Sequence, residues 1–328
     1  MRIAVLVPDP DYPEPWRWTY DPEADALSSA GADVTPIAWT DAPDLSRFDL
    51  VLPLVVWGYH VDYPRWLEFL ERAERDRWHM INPPALLRWN GDKAYLAELA
   101  ERGVSTVPTM AVEACCDADL EEARRRFDSE WLVVKPPISA SAMGTHRLGS
   151  EDDAPEDSKG RPMIIQPLVQ EIEKTGEFSL MLFDGEYSHA VVKRPRKGDF
   201  RVQEYHGGVT LPCPVPPDGA VELAKAALAA APAPATYARV DIVPDDSGAL
   251  MIMELELIEP SLFLDHASDG GAAFSRSILS RARTATAGSP RGGSAAARHP
   301  AGPHRSPRPA RSTDSPAPVP QPRGRAKT

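Results

Sequence analysis

Cysteine is scarce: Cys115, Cys116 and Cys213 are the only three in 328 residues, two of them are neighbours, and no C-x-x-C spacing occurs. That excludes a disulfide framework and a zinc site and leads to the expectation of a reducing compartment. No apolar run approaches the roughly 18 residues needed to span a bilayer. Met1 to Pro8 also lacks the long apolar stretch and cleavage site of a secretory signal, so a cytoplasmic protein without membrane partners is expected. Several phosphate and nucleophile signatures are missing as well: G-x-x-x-x-G-K-[ST], G-x-G-x-x-G after the first strand, H-R-D, G-x-S-x-G and H-E-x-x-H. Their absence removes the P-loop, dinucleotide-binding, kinase, serine-hydrolase and zincin templates.

What is present is an ordinary apolar fraction of 42%, enough for a sizeable core. The net charge of −12 is unevenly spread: residues 283–328 hold nine Lys/Arg against Asp314 alone, a net of +8, so the remainder carries −20. An acidic body argues against nucleic acid as a partner.

Apolar runs at Ile3–Val7 and Asp49–Trp57 read as buried strands, and Pro22–Ala30 and Pro64–Arg77 as helices that begin near a proline. These make residues 1–82 a small α/β domain. Pro84–Arg102 reads as one helix ended by Gly103, followed by strands at Thr106–Val112, Trp131–Val134 and Met163–Gln166 and a helix near Asp119–Phe127, giving a second domain over 83–170. Phe178–Phe183 and Tyr187–Val192 flank an Asp184-Gly185 turn as a hairpin. Lys197–Gly208 is a polar loop with three glycines, and Ala220–Ala231 is a helix. Tyr237–Val243 and Ala249–Leu257 form a last strand pair, so a third domain covers 171–282. The Arg/Pro/Ala-rich remainder, 283–328, is expected to be disordered. A GC-rich reading frame run past its true end would give the same mixture and is the preferred account, with a polybasic segment that recruits an acidic partner as the alternative.

The main local anomaly is Met251–Pro260, where Glu254 and Glu256 interrupt an apolar strand on one face. Arg239 and Asp241 share a face of the preceding strand in the same way. Buried carboxylates need a compensating cation, and hard oxygen donors suit Mg²⁺ completed by phosphate oxygens, which points to a nucleoside triphosphate. The alternative is an edge strand with its acids in water. Lys135 ends an apolar strand and Lys93 lies near a helix start. Either could neutralise phosphate, and either would also serve as a solvated terminus.

Taken together, Lys93, Lys135, the strand at Gln166, Glu177, the loop from Lys193 to Gly208, Arg239-x-Asp241 and Glu254-x-Glu256 resemble the ATP-grasp superfamily over about residues 1–280. Asp199–Gly208 looks like the loop of prokaryotic glutathione synthetases, and Arg239-x-Asp241 is closer to D-alanine:D-alanine ligases. Trp57–His60 and Glu254–Phe263 are similar to the group that includes the cyclo-ligase of cycloserine biosynthesis.

The resemblance implies an α/β (α+β) three-lobe fold whose N-terminal lobe is Rossmann-like. It also implies an ATP-dependent ligase that activates a carboxylate as an acyl phosphate and passes it to an amine or comparable nucleophile, with small-molecule amino-acid or peptide-like substrates. Lys93 and Lys135 would contact the α- and β-phosphates. The strand end at Gln166, Pro167, Leu168 and Val169 would hold adenine, and Glu177 the ribose. Lys193 and Arg239 would face the γ-phosphate, with Asp241, Glu254 and Glu256 holding a pair of Mg²⁺ ions, or Mn²⁺ in their place. Arg201 and Gln203 would close over the acyl phosphate on a loop turned by His206, Gly207 and Gly208.

Two positions depart from the family. Pro136–His146 offers a single glycine, Gly144, where a glycine-rich loop is common, with Ser139, Ser141 and Thr145 as substitute donors. Glu256 stands where the related ligases usually carry Asn. The aromatic stretch Asp11–Tyr20 and the Trp57, Tyr59, His60 group suit either an acceptor pocket or packing between lobes. The rival functions are phosphorylation of a hydroxyl and a nucleotide-binding scaffold without turnover. A homodimer and a homotetramer both remain open.

Overall fold

The computed structural model describes residues 1–287. Strand β1 (Arg2–Val7) sits between β2 (Asp33–Ala38) and β3 (Leu50–Leu52) in a parallel sheet of order β2-β1-β3. The uninterrupted apolar run of β1 is explained by burial on both faces. Ile3, Val5 and Val7 pack against Tyr20, Ala24 and Leu27 of helix α1 (Arg17–Ser29), while Ala4 and Leu6 face Trp66, Phe69 and Leu70 of α2 (Tyr63–Arg75).

Helix α1 starts before the expected Pro22, which lies inside it. The second expected strand contracts to Leu50–Leu52 because the chain from Leu54 to Trp57 turns over the sheet's end while staying buried or half-buried. The edge strand β2 was not expected. Its proline, Pro36, is tolerated because an edge strand leaves one row of N–H groups unpaired.

The single helix expected over Pro84–Arg102 is two, α3 (Pro84–Asn90) and α4 (Tyr95–Glu101). They break at Gly91, where a Cβ would lie 2.5 Å from the Tyr63 hydroxyl. The break presents Asn90 and Tyr95 to the end of the last strand. The Asn90 side chain donates to the Leu255 carbonyl at 2.8 Å and accepts from the Leu257 N–H at 2.9 Å, and the Tyr95 hydroxyl accepts from the Leu255 N–H at 2.7 Å.

Two antiparallel sheets follow. The first, of order β4-β7-β5-β6, joins β4 (Met110–Val112), β5 (Leu132–Lys135), β6 (His146–Leu148) and β7 (Met163–Pro167), backed by α5 (Asp117–Phe127). Leu132, Val134, Met163 and Ile165 pack toward Leu120 and Ala123 of α5, so Val133, Lys135 and Gln166 point the other way.

The second sheet, β10-β9-β8-β11-β12, joins β8 (Glu177–Phe183), β9 (Glu186–Arg194), β10 (Val209–Pro212), β11 (Tyr237–Pro244) and β12 (Leu250–Glu256). Helix α6 (Ala220–Ala229) packs on the face formed by Leu180, Ala238, Val240 and Leu255. Helix α7 (Ala272–Ala287) runs past residue 282, where the ordered region was expected to end, and 288–328, the rest of the tail expected to be disordered, lies outside the described residues. Strands β6 and β10 are short and partly exposed, so the sequence pattern does not announce them. Among the described residues no helix is long and apolar enough to cross a membrane.

On the buried face of α1, Glu23 is 1% exposed and neither carboxyl oxygen has a hydrogen-bond partner. Burial pushes its pKa well above the ordinary 4.5, so the folded chain keeps a proton that the unfolded chain releases. The protein therefore loses stability as pH rises past the unfolded value. Glu23→Met removes that cost and the unpaired oxygens. The expected gain is about 1–3 kcal/mol at neutral pH, by analogy with other unsatisfied buried groups. Melting curves of both proteins at pH 5 and pH 8 check this, with the larger difference expected at pH 8.

Candidate active site

The inward faces of the two antiparallel sheets and the loops after β1 and β3 enclose a cavity of about 650 Å³. Its floor is built by cross-strand register. Arg239 lies opposite Glu256, Asp241 opposite both Glu254 and Ser179, and Glu177 opposite Lys193. A bulge at Met253 adds one residue to β12. Because the bulge precedes Glu254, the two acids keep a common face.

Asp241 is the hub. Arg239 grips it with Nε and Nη2, each at 3.0 Å, Lys193 reaches it at 3.1 Å, and the Ser179 hydroxyl donates at 2.6 Å. Burial works to raise the Asp241 pKa, but Arg239 and Lys193 outweigh it and hold the carboxyl well below its usual range. Lys193 also pairs with Glu177 at 2.6 Å, and Arg239 with Glu256. Burial raises Glu177 despite Lys193.

Glu254 pairs with Lys93 at 2.8 Å. Burial opposes its ionisation, yet Lys93 and Lys135 lower its pKa. Lys93 also donates to the Ser139 carbonyl at 2.8 Å, which ties the loop after β5 to the start of α4. Lys135 differs from the other cations. Its ammonium faces the cavity without a hydrogen bond or ion pair among the described residues, and burial lowers its pKa.

The remaining expected residues also line this cavity: Gln166, Pro167, Leu168, Val169, Arg201 and Gln203. The Gln166 amide donates to the Thr109 hydroxyl at 2.8 Å. The Leu168 N–H is engaged by the Trp131 carbonyl at 2.9 Å, whereas the Val169 N–H has no protein acceptor among the described residues. The Arg201 guanidinium is held by Asp199 at 3.1 and 2.9 Å. Its loop depends on Gly208, where a Cβ would lie 2.0 Å from the Val202 carbonyl oxygen. Of the substitute donors, Ser139 gives its hydroxyl to the Pro136 carbonyl, while Ser141 and Thr145 line the cavity.

Among the described residues no three carboxylate, histidine or cysteine groups are arranged to hold a metal ion unaided. Asp241, Glu254 and Glu256 are hard oxygen donors suited to Mg²⁺ that takes its other ligands from phosphate and water. The charge balance fits as well. Burial, with Glu254 and Asp241 adding to it against Arg239, pushes Glu256 up to about 7. Burial and the charge of Glu256 push Glu259 up to about 8. A cation bound at Glu254 and Glu256 would ease the mutual repulsion of these acids.

Glu259, Met253, Phe200, Tyr205 and Phe263 also line the cavity, although the sequence motifs that contain them give them no role. A lone acid just after a strand reads as a solvated turn, and apolar lining residues read as core. The available signal for Glu259 was its place immediately after an apolar Leu257-Ile258 pair.

The sequence profile of the D-cycloserine synthetase DcsG N-terminal domain matches residues 4–82. The cycloserine biosynthesis protein DcsG of Streptomyces lavendulae is 31% identical over 317 residues, covering 86% of this chain and 99% of its own. The crystal structure of D-cycloserine synthetase DcsG superimposes with a TM-score of 0.74 at 28% identity, covering 86% of this chain and 100% of that one. D-alanine–D-alanine ligase from Bacillus anthracis complexed with ATP has a TM-score of 0.64 at 17% identity over 88% of this chain and 99% of the other, a likeness of fold.

Proposed function

Because the chain belongs to the ATP-grasp ligases, in the family of the cycloserine biosynthesis protein DcsG, we propose that it joins a carboxylate to an amine through an acyl phosphate. The substrates are of amino-acid or peptide-like type, and ADP and phosphate are released. The observation that carries this reading is the charge layout of one cavity. The unpartnered Lys135 ammonium projects from one sheet, and the Arg239, Asp241, Glu254 and Glu256 array from the other.

Triphosphate fits between them, with Lys93 and Lys135 toward the α- and β-phosphates and Lys193 and Arg239 toward the γ-phosphate. The adenine edge meets the Val169 N–H and the neighbouring carbonyls, and Glu177 takes the ribose. Asp241, Glu254 and Glu256 would hold Mg²⁺, which would supply charge neutralisation at the transferring phosphoryl group. The γ-phosphoryl group passes to a substrate carboxylate oxygen as its bond to ADP breaks. The amine then attacks the acyl carbon, phosphate leaves with the electron pair of the broken C–O bond, and the nitrogen loses a proton. The loop carrying Arg201 and Gln203 covers the acyl phosphate and excludes water, which would otherwise hydrolyse it.

Hydroxylamine tests the intermediate. With ATP, Mg²⁺ and a panel of amino acids offered singly and in pairs, the productive substrate should yield an acyl hydroxamate in step with ADP. ADP formation with a phosphorylated hydroxyl product and no hydroxamate would instead identify a phosphotransferase.

A further inference from the structure

The cavity holds one further carboxylate that has no place in the phosphate chemistry above. Glu259 borders it with no hydrogen bond or ion pair among the described residues. The nearby cations are committed elsewhere, Lys93 to Glu254 and Arg239 to Asp241 and Glu256. Tyr12 and Tyr59 lie close enough that, after burial and other charges, the Glu259 carboxylate helps raise their phenol pKa values.

Part of the cavity is walled by aromatic rings. Trp57 is tilted against Tyr12 at a centroid distance of 6.1 Å and against Trp18 at 5.8 Å. Among the described residues, none of the protein's own cations lies over these three rings. His60 lines the same cavity, and both its ring nitrogens are buried without a partner. Burial, and then Lys93, keeps it below its ordinary pKa, so it offers one donor and one acceptor as a neutral ring.

A half-buried carboxylate without a partner favours a cationic ligand, an aromatic wall attracts cations, and an imidazole with two free nitrogens adds polar recognition. We propose that Glu259, with the Tyr12, Trp18 and Trp57 wall, is the specificity pocket for a protonated primary amine of the substrate, and that His60 hydrogen-bonds a polar atom beside it. This inference rests on the ligase reading and deepens it. Within one cavity Lys135 is anion-receptive and Glu259 ammonium-receptive, and the substrate lies between them with its carboxylate directed to the first.

The test compares D- and L-alanine and D- and L-serine with their des-amino counterparts, propionate and 3-hydroxypropionate, as stimulators of ADP release with ATP and Mg²⁺. It uses the full chain and Glu259→Gln. Wild type should respond to at least one amino acid and at least tenfold less to the matching des-amino acid. Glu259→Gln should raise KM for that amino acid at least tenfold and leave KM for ATP within twofold, and Glu259→Asp should recover part of the loss. Calorimetry of ATP with Mg²⁺ serves as the folding check on each variant.

Absence of ATP binding by wild type would overturn the ligase reading and this inference with it. Normal ATP binding overturns this inference alone if amino and des-amino acids act equally, if neither acts, or if KM for the amino acid is unmoved in Glu259→Gln.

Discussion

Glu254→Gln should reduce ATP-dependent ADP release by about 10²–10³-fold while leaving the melting temperature within a few degrees of wild type. The size follows from the loss of one preorganised charge at the centre of phosphoryl transfer, where single-group deletions cost roughly that much. The small stability effect follows from the surroundings. The Glu254 side chain is 25% exposed toward the cavity, and Lys93, its partner at 2.8 Å, retains the Ser139 carbonyl as an acceptor. Glutamine also keeps the shape of the side chain and can still accept a hydrogen bond from the ammonium. The loss should appear in kcat more than in KM for ATP, because the carboxylate acts most strongly as charge redistributes in the transition state. Steady-state ADP release measured beside a thermal melt separates the two effects, and unchanged turnover would remove Glu254 from the machinery.

The residues of this site were legible to different degrees for a physical reason. Alternation along a strand is local, so Glu254 with Glu256, and Arg239 with Asp241, could be assigned to shared faces from spacing alone, and the sheet places both pairs on the cavity side. Which group neutralises which is set by register between distant strands. Nothing near Asp241 in sequence announces Lys193 or Ser179, which β9 and β8 bring to it. Arg201 differs, since its partner Asp199 is only two residues away and the pairing depends on a local fold of the loop.

The fold divides in a similar way. Long apolar runs such as Ile3–Val7 declared themselves, whereas the break between α3 and α4 comes from Tyr63 pressing on Gly91, a contact made across the N-terminal helices. Edge strands β2, β6 and β10 carry too little buried alternation to stand out. The unassigned acid, Glu259, became visible only when its lack of a partner could be seen.

Asp241→Ala should be the most destabilising single change at the site, by about 3–5 kcal/mol, the usual cost of stranding buried charges by deleting their partner. The Asp241 side chain is 3% exposed, so no water can replace it readily. Its removal strips Arg239 of a two-point ion pair, leaves Lys193 with Glu177 alone, and frees the Ser179 hydroxyl. Arg239 would still hold Glu256. Three strands feel the loss, because Ser179, Asp241 and Glu254 are register partners across β8, β11 and β12. For a chain of this size the melting temperature should fall by roughly 10 °C.

The effect should depend on pH. The folded Asp241 pKa lies below the ordinary 3.8, so its contribution is complete above that value and is lost as acid protonates the folded carboxyl. Wild type and variant should therefore differ fully at pH 7 in urea-unfolding midpoints and converge as the pH is taken below 3.8. A gap that persisted unchanged into strong acid would show that the aspartate stabilises the sheet through its shape and not through its charge.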